Sequence, residues 1–257
     1  MNKTPFSLKF PSILRLLAKI DGRHAQILNK HPLKPAELKQ LKSYYKIGLT
    51  YTSNALEGNL LTESETKVVL EDGITIGGKP LKDHLEALGH QDAFNAIDHW
   101  IHQPLSESII CECHRLFYHR IDEENAGKYR LQKVFVSGAT LRFPEALQVP
   151  NFMAHLIEQW HGLDPDLHPV LKSAWLHYQF VAIHPFIDGN GRTARLLMNL
   201  VLIQNGYPVA IIPPVNRSRY IDSLQDYNRG NELPFFELIL EMVIDGQKDY
   251  LRLVGES

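Results

Sequence analysis

One twelve-residue segment of this sequence concentrates side chains that could act on a phosphate ester. Gly189 and Gly191 flank Asn190, and glycines at this spacing allow successive backbone N–H groups to point inward and bind an anion. The turn opens directly into a predicted helix, whose free N–H groups and dipole also favour phosphate. Arg192 and Arg195 lie on one face of that helix, so we expect both guanidinium groups to reach the anion. This number of donors favours a polyphosphate over a single phosphate.

The same segment supplies a carboxylate and an imidazole. Asp188 lies beside the predicted phosphate site, and Mg²⁺ prefers one or two carboxylates together with phosphate oxygens and water. His184 directly precedes Pro185, which disfavours a helical His184 and should end the preceding helix there. A histidine beside a phosphate site is a natural general base for a hydroxyl nucleophile. No folding requirement concentrates so many polar groups between buried helices, where each needs a hydrogen-bond partner.

Two apolar helices are predicted on either side of this segment. Residues 167–183 place apolar side chains on one broad face, whereas residues 191–204 are apolar almost all round, which indicates a central, buried helix. Apolar periodicity and helix start and stop patterns predict further helices over 10–29, 37–57, 62–70, 82–102, 106–119, 150–162, 216–230 and 234–254. The predicted fold class is therefore all-α.

Residues 132–143 differ in character from the rest of the chain. A β-prone run that includes Val134 and Val136 is followed by the turn residues Ser137 and Gly138 and by a second such run. We therefore predict one small β-hairpin inserted into the helical fold.

Composition and charge exclude several classes of partner. The 257-residue chain has a net charge of −2, which provides no field to gather nucleic acid or an anionic membrane surface. The N-terminus lacks the features of a signal peptide, and no stretch approaches the ~20 apolar residues needed to span a bilayer. The two cysteines, Cys111 and Cys113, are too close in sequence to join distant segments by a disulfide bond. They are consistent with a reducing compartment. We expect a cytoplasmic protein that binds neither nucleic acid nor membranes.

Residues 184–195 resemble the motif of the Fic family, His-x-Phe-x-Asp/Glu-Gly-Asn-Gly-Arg-x-x-Arg, at every defined position. The resemblance extends from about residue 45 to the C-terminus. It implies a helical bundle around a central motif loop and helix. It also implies an enzyme that transfers AMP from Mg-ATP to a Ser, Thr or Tyr hydroxyl of a target protein. ATP and that protein are the implied partners, while self-modification and a homodimer are left open.

The resemblance assigns a role to each residue of the motif. His184 would be the base that deprotonates the target hydroxyl, and Asp188 would hold Mg²⁺ on the phosphates. Arg195 would bind the γ-phosphate. The other phosphate-binding residues would be Gly189, Asn190, Gly191 and Arg192. In the related Doc kinases a lysine replaces the second glycine, so Gly191 favours AMP transfer.

A second stretch, residues 53–59, resembles the inhibitory motif of the family, Ser/Thr-x-x-x-Glu-Gly/Asn. Its position before the catalytic motif implies a class II, self-inhibited protein. Ser53 and Glu57 are four residues apart and are predicted on one helix face, with Gly58 ending the helix. A Glu57 carboxylate paired with Arg195 would remove the arginine that the γ-phosphate needs.

The resemblance also assigns the hairpin and a nucleotide-base wall. The hairpin would be the flap of the family, and a target segment could add to its edge as a further strand. Val134 and Val136 would pack over the nucleotide or into the core. Asn228 would bind the adenosine, and Tyr220 or Ile221 would face the base.

The predicted domain organisation is an N-terminal helical region over residues 1–61, which carries the inhibitory helix, and a catalytic domain over residues 62–257. Three alternative functions are left open. His184 and Asp188 could instead remove AMP from modified proteins, or the pocket could sense ATP with little turnover. Transfer of another phosphate-linked group, such as UMP or phosphocholine, is the third alternative.

Overall fold

The computed structural model describes residues 10–134 and 143–255. Within these ranges the chain forms ten α-helices and no β-strand. The helices are α1 (Pro11–Leu28), α2 (Pro35–Ala55), α3 (Glu63–Lys67), α4 (Leu81–Trp100), α5 (Glu107–Tyr118), α6 (Val149–His161), α7 (Pro169–Ile183), α8 (Asn190–Gln204), α9 (Arg217–Asn228) and α10 (Leu233–Gly255). A π-helical turn continues α3, and short 3₁₀ turns precede α6 and α9. The predicted all-α fold class is confirmed.

Helices α7 and α8 form the centre of the bundle. They pack against each other and are joined by the loop of residues 184–189. Every residue of α8 from Arg192 to Leu202 is buried, as the apolar pattern of this helix predicted. Helices α5, α6 and α10 pack on this central pair. The loop is therefore anchored at both ends in the core.

The first two helices share the core of the rest of the chain. Ile20 of α1 and Leu49 of α2 are at most 1% exposed and belong to the same apolar cluster as Leu197 of α8. The C-terminal half of α2 is buried through polar side chains, namely Thr50, Thr52, Ser53 and Asn54. The division at residue 61 stays a prediction, since both sides of it contribute to one core.

Helix α2 ends earlier than the sequence predicts. Its last residue is Ala55, and a tight turn follows. The turn is closed by hydrogen bonds from the Glu57 N–H to the Asn54 carbonyl at 2.9 Å and from the Gly58 N–H to the Ala55 carbonyl at 3.1 Å. Gly58 has a φ of 93°, which ends the helix. Glu57 therefore projects from a turn and not from the helix itself.

The predicted hairpin over residues 132–143 lies mostly outside the described residues. Val134 is described, is partly buried and belongs to no strand. Val136 lies outside the described ranges, so the hairpin and its assignment as a flap stay predictions.

Length and polarity of the helices bear on membrane insertion. In the described part of the chain, no helix combines the length and apolar character needed to cross a bilayer.

Candidate active site

His184 ends α7 and begins the loop. Its backbone has φ 52° and ψ 59°, and no other non-glycine residue in the described ranges has a positive φ. Pro185 disfavours a helical His184, and the left-handed conformation costs about 1–3 kcal/mol. The His184 N–H still donates to the Phe180 carbonyl at 3.0 Å, and the Phe143 ring centroid lies 4.3 Å from that of the imidazole. The imidazole is presented at the end of α7, as predicted.

Burial keeps the His184 imidazole neutral. Desolvation, the largest cause, and the positive charge of Arg130 lower the pKa of His184 to about 4. The Val181 carbonyl and the carboxylates of Glu57 and Asp188 act in the opposite direction. At neutral pH the ring therefore has a lone pair that can accept a proton.

The Asp188 carboxylate lies on the loop just before α8. Its Oδ1 accepts from the Gly189 N–H at 2.6 Å and from Nη2 of Arg192 at 3.3 Å, and its Oδ2 lies 3.7 Å from Nζ of Lys82. Burial acts to raise the pKa of Asp188, but Arg192, the Gly189 N–H and Lys82 together lower it. The carboxylate is therefore ionised. Lys82, on α4, is a neighbour that the sequence did not predict.

The donor set around Asp188 fits a magnesium ion that is shared with a substrate. In the described ranges, no three His, Cys, Asp or Glu side chains gather into a metal site. Mg²⁺ commonly takes one or two carboxylates and completes its shell with phosphate oxygens and water. The Asp188 side chain is 43% exposed, so it can supply such a carboxylate beside a bound phosphate.

Asn190, the first residue of α8, uses its side chain to hold the loop. Its amide accepts from the Phe186 N–H and donates to the Phe186 carbonyl, both at 2.9 Å, and it is buried. The side-chain amide therefore faces the loop backbone, so the predicted role of Asn190 in phosphate binding, which stays a prediction, would fall to its backbone N–H. Gly189 has a φ of 76° and turns the chain into α8. The first N–H groups of a helix have no intrahelical acceptor, so these backbone groups are left for phosphate.

Arg192 is buried between two acids. Its Nη1 lies 2.7 Å from Oε1 of Glu86, and its Nη2 lies 3.3 Å from Oδ1 of Asp188. The guanidinium carbon lies 4.6 Å from the Phe117 ring centroid, a cation–π distance. Glu86 also accepts from Nδ2 of Asn59 at 2.9 Å, which connects the turn after α2 to α8. Sequence reasoning missed Glu86, since one glutamate on a helix gives no distinctive pattern.

Arg195 is fully enclosed and is bound by α2 and the turn after it. Its Nη2 donates to Oε1 of Glu57 and to the Ser53 carbonyl, each at 2.8 Å, and its Nε donates to Oγ of Ser53 at 2.9 Å. Burial acts to raise the pKa of Glu57, but Arg195 and Arg192 hold that pKa below its usual range. The structure thus contains the ion pair that the inhibitory motif implies, while its effect on activity stays a prediction.

Tyr220 does not occupy the position expected of a nucleotide-base wall. It is 3% exposed, and its hydroxyl lies 3.0 Å from Nε2 of His177 and 3.4 Å from Nη1 of Arg195. The side chain points inward because a buried hydroxyl needs hydrogen-bond partners, which these two residues supply. Of the two residues predicted to face the base, the partly buried Ile221 is the remaining candidate. Asn228, the last residue of α9, is exposed.

Helix α5 supports the loop through an aromatic contact that the sequence did not predict. The His114 ring stacks on Phe186 with centroids 3.7 Å apart and an interplanar angle of 5°. Its Nδ1 accepts from the Gly127 N–H at 2.9 Å, so the proton is on Nε2, which donates to the Asp188 carbonyl at 3.1 Å. Burial lowers the pKa of His114 to about 4, which keeps this tautomer neutral.

Comparison with known proteins reveals relatives over most of the chain. Residues 104–202 match a family described as the Fic/DOC family. Over 231 residues, the chain is 36% identical to a protein adenylyltransferase Fic from Drosophila willistoni and 35% identical to one from Drosophila persimilis, and each match covers 88% of this chain. The chain spans about half the length of these curated relatives, 46% and 45% respectively.

Solved structures share the same arrangement of helices. A Fic domain-containing signaling protein from Bacteroides thetaiotaomicron has a TM-score of 0.83 at 30% identity, with 96% of this chain and 98% of that chain covered. A fragment of Fic-1 from C. elegans has a TM-score of 0.82 at 28% identity, with 93% of this chain and 71% of that chain covered.

Proposed function

The chain belongs to the Fic/DOC family, and from this premise we propose that it is a protein adenylyltransferase, transferring AMP from Mg-ATP to a Ser, Thr or Tyr hydroxyl of a protein. The supporting observation is the loop between α7 and α8. It has a neutral His184 at one end, an ionised Asp188 at the other, and the N-terminus of α8 directly after it. The name of the curated relatives favours addition of AMP over its removal and over ATP sensing.

In the proposed reaction, His184 is the general base. The target hydroxyl oxygen forms a bond to the α-phosphorus, and its proton moves to the imidazole. The bond from the α-phosphorus to the oxygen that bridges to the β-phosphorus breaks, and pyrophosphate leaves with that electron pair. A neutral imidazole at the C-terminal end of α7 suits this role, because its lone pair is available at physiological pH.

The phosphates of ATP would lie at the N-terminus of α8. Backbone N–H groups of Asn190 and Gly191 would hold them, with Arg192 adding positive charge nearby, while Gly189 would shape the turn because its own N–H is bound to Asp188. Asp188 would hold Mg²⁺, which when bound would neutralise charge that develops on the phosphates. The Asp188 carboxylate is itself fixed in direction by the Gly189 N–H at 2.6 Å.

Glu57 would keep the enzyme self-inhibited. A guanidinium has five N–H donors, and those of Nε and Nη2 of Arg195 are directed at Ser53 and Glu57. Tyr220 contacts Nη1. An arginine bound in this way is not available to the γ-phosphate, so release of Glu57 would be needed before ATP is aligned for attack.

Further parts of the proposal rest on the family alone. The exposed Asn228 would bind the adenosine, and Val134 and Val136 would belong to a flap that receives the target. Self-modification, a homodimer, the separate N-terminal region and a cytoplasmic location stay predictions.

Mass spectrometry of the protein and of added bait proteins, after incubation with Mg-ATP, tests the proposal. We expect little AMP adduct with wild type, a gain of about 5- to 150-fold with Glu57→Gly, and none when His184→Ala is added to that variant. Glu124→Gly, which changes an exposed turn glutamate, is the matched control and should behave as wild type. An adduct that survives His184→Ala, or no gain with Glu57→Gly, would contradict the proposal.

A further inference from the structure

One buried arginine ties His184 to both ends of the segment in which the flap is predicted. Nε of Arg130 donates to the His184 carbonyl at 2.8 Å, Nη1 donates to the Gln132 carbonyl at 3.0 Å, and Nη2 donates to the Pro144 carbonyl at 2.6 Å. The backbone N–H of Arg130 donates to the Pro185 carbonyl at 2.9 Å. Arg130 is only 3% exposed, so these contacts are shielded from water.

The guanidinium is suited to fixing these three carbonyl groups relative to one another. Its donors lie in one plane and point in fixed directions, which an ammonium group cannot reproduce. The Gln132 carbonyl lies just before this segment and the Pro144 carbonyl just after it. The third carbonyl belongs to His184 itself. A displacement of Gln132 or Pro144 would therefore also displace the backbone of His184.

The segment also contacts the imidazole directly. The ring centroid of Phe143, next to Pro144, lies 4.3 Å from that of His184, with an interplanar angle of 35°. His184 is thus held through its carbonyl by Arg130 and through its ring by Phe143. The two contacts fix different parts of the residue, the backbone and the side chain.

We infer that Arg130 is a positioning residue that fixes the backbone of the base, His184, by binding its carbonyl together with those of Gln132 and Pro144. Because one planar guanidinium holds all three carbonyls, the imidazole is presented in a fixed direction at the end of α7. That His184 acts as the base rests on the proposed function. The connection between Arg130, Gln132, Pro144 and His184 does not.

Substitutions at Arg130 can separate the effect of its positive charge from that of its hydrogen-bond geometry. Arg130→Lys keeps the positive charge but loses the planar set of donors, whereas Arg130→Met loses both. Arg120→Lys is the matched control, because Arg120 forms a partly exposed ion pair with Asp92 at 2.8 Å and shares none of the hydrogen bonds of Arg130. All variants are made in the Glu57→Gly protein so that transfer can be measured.

The first measurement does not depend on AMP transfer. In protein labelled with ¹³C-histidine, the Cε1–H resonance of His184 is assigned by its loss in His184→Ala. Phe143→Leu then shows how this resonance moves when the ring contact is removed. We expect Arg130→Lys and Arg130→Met to shift the resonance and Arg120→Lys to leave it in place. An unchanged resonance in both Arg130 variants would overturn the inference.

The second measurement separates turnover from nucleotide binding. For Arg130→Lys we expect kcat for AMP transfer to fall about 10- to 100-fold, with the Kd for Mg-ATP within about twofold of the Glu57→Gly protein. A parallel loss of both quantities would indicate a general structural defect and overturn the inference. If Arg130→Lys does not fold, Arg130→Met is judged by the same two criteria. If Glu57→Gly itself yields no adduct, the proposed function fails, while the resonance of His184 still decides the role of Arg130.

Discussion

Oε1 of Glu57 lies 2.8 Å from Nη2 of Arg195, although the two residues are 138 positions apart in sequence. The pair lies directly beside Gly191. A Cβ built on Gly191 would overlap Oε1 of Glu57 and would lie 3.2 Å from Nη1 of Arg195. The glycine of the phosphate-binding turn is therefore also the residue that leaves space for the inhibitory carboxylate.

Gly191→Ala should destabilise the wild type more than the Glu57→Gly protein. In the wild type the new methyl group meets the Glu57 carboxylate, and such overpacking costs about 1–3 kcal/mol of the free energy of unfolding. Without that carboxylate only Nη1 of Arg195, 3.2 Å from the new Cβ, has to give way, so the cost should be smaller. Urea unfolding of the four proteins in a double-mutant cycle measures both values.

Gly22→Ala is the control for that cycle. Gly22 lies in α1, and a Cβ there would meet no atom within 4 Å. Its effect on unfolding should be the same in both backgrounds. A cost of Gly191→Ala that is equal in the two backgrounds would show that Glu57 does not occupy this space.

Asn190→Ala should lower stability more than it lowers the affinity for nucleotide. Removing the amide leaves the N–H and the carbonyl of Phe186 buried without partners, which costs about 2–5 kcal/mol in total. Thermal unfolding measures this loss, and Asn228→Ala at the exposed end of α9 should change stability by less than about 0.5 kcal/mol. A variant that keeps its stability but loses ATP binding would instead assign the Asn190 side chain to the phosphates.

The pH profile of AMP transfer should lack an acidic limb near the ordinary histidine pKa. His184 must be unprotonated to act as a base, and burial together with Arg130 lowers its pKa to about 4. The active form is therefore present above this pKa and is lost only as pH falls toward it. Because Glu57 raises the pKa of His184, the acidic decline in activity should occur at a lower pH in the Glu57→Gly protein.

The measurement is kcat/KM for Mg-ATP from pH 8 down to about pH 3.5, which reports groups of the free enzyme. Circular dichroism at each pH excludes loss of folded protein as the cause of any decline. A limb centred near the unperturbed histidine pKa of about 6.5 would contradict the burial of the imidazole.

The helices around the site could be predicted closely from the sequence, because each has an apolar period and a defined start or stop. The central position of α8 followed from apolar residues on all its faces, and the end of α7 followed from Pro185. The exception is the end of α2. Hydrogen bonds from Glu57 and Gly58 tighten its last turn, and helical spacing does not reveal such a turn.

Contacts between distant elements could not be predicted in the same way. Local reasoning directed both Arg192 and Arg195 at the phosphate, and only the resemblance to the inhibitory motif implied the pair of Glu57 with Arg195, which forms where the turn after α2 meets α8. Glu86 and His114 were missed because single polar residues on amphipathic helices show no pattern that separates a buried partner from a surface group. Their roles arise only where α4 and α5 meet the loop.

The hydrogen bonds between Asn190 and Phe186 have a consequence for mutational robustness. They hold the one amide side chain of the turn against the loop backbone. A phosphate at α8 would therefore be bound by main-chain N–H groups, which side-chain substitutions do not remove. Binding of the phosphates by main-chain groups and proton transfer by the His184 side chain then depend on different groups of the same loop. A protein of this design can lose its imidazole and still retain ATP, which makes His184→Ala a suitable trap for the nucleotide-bound form.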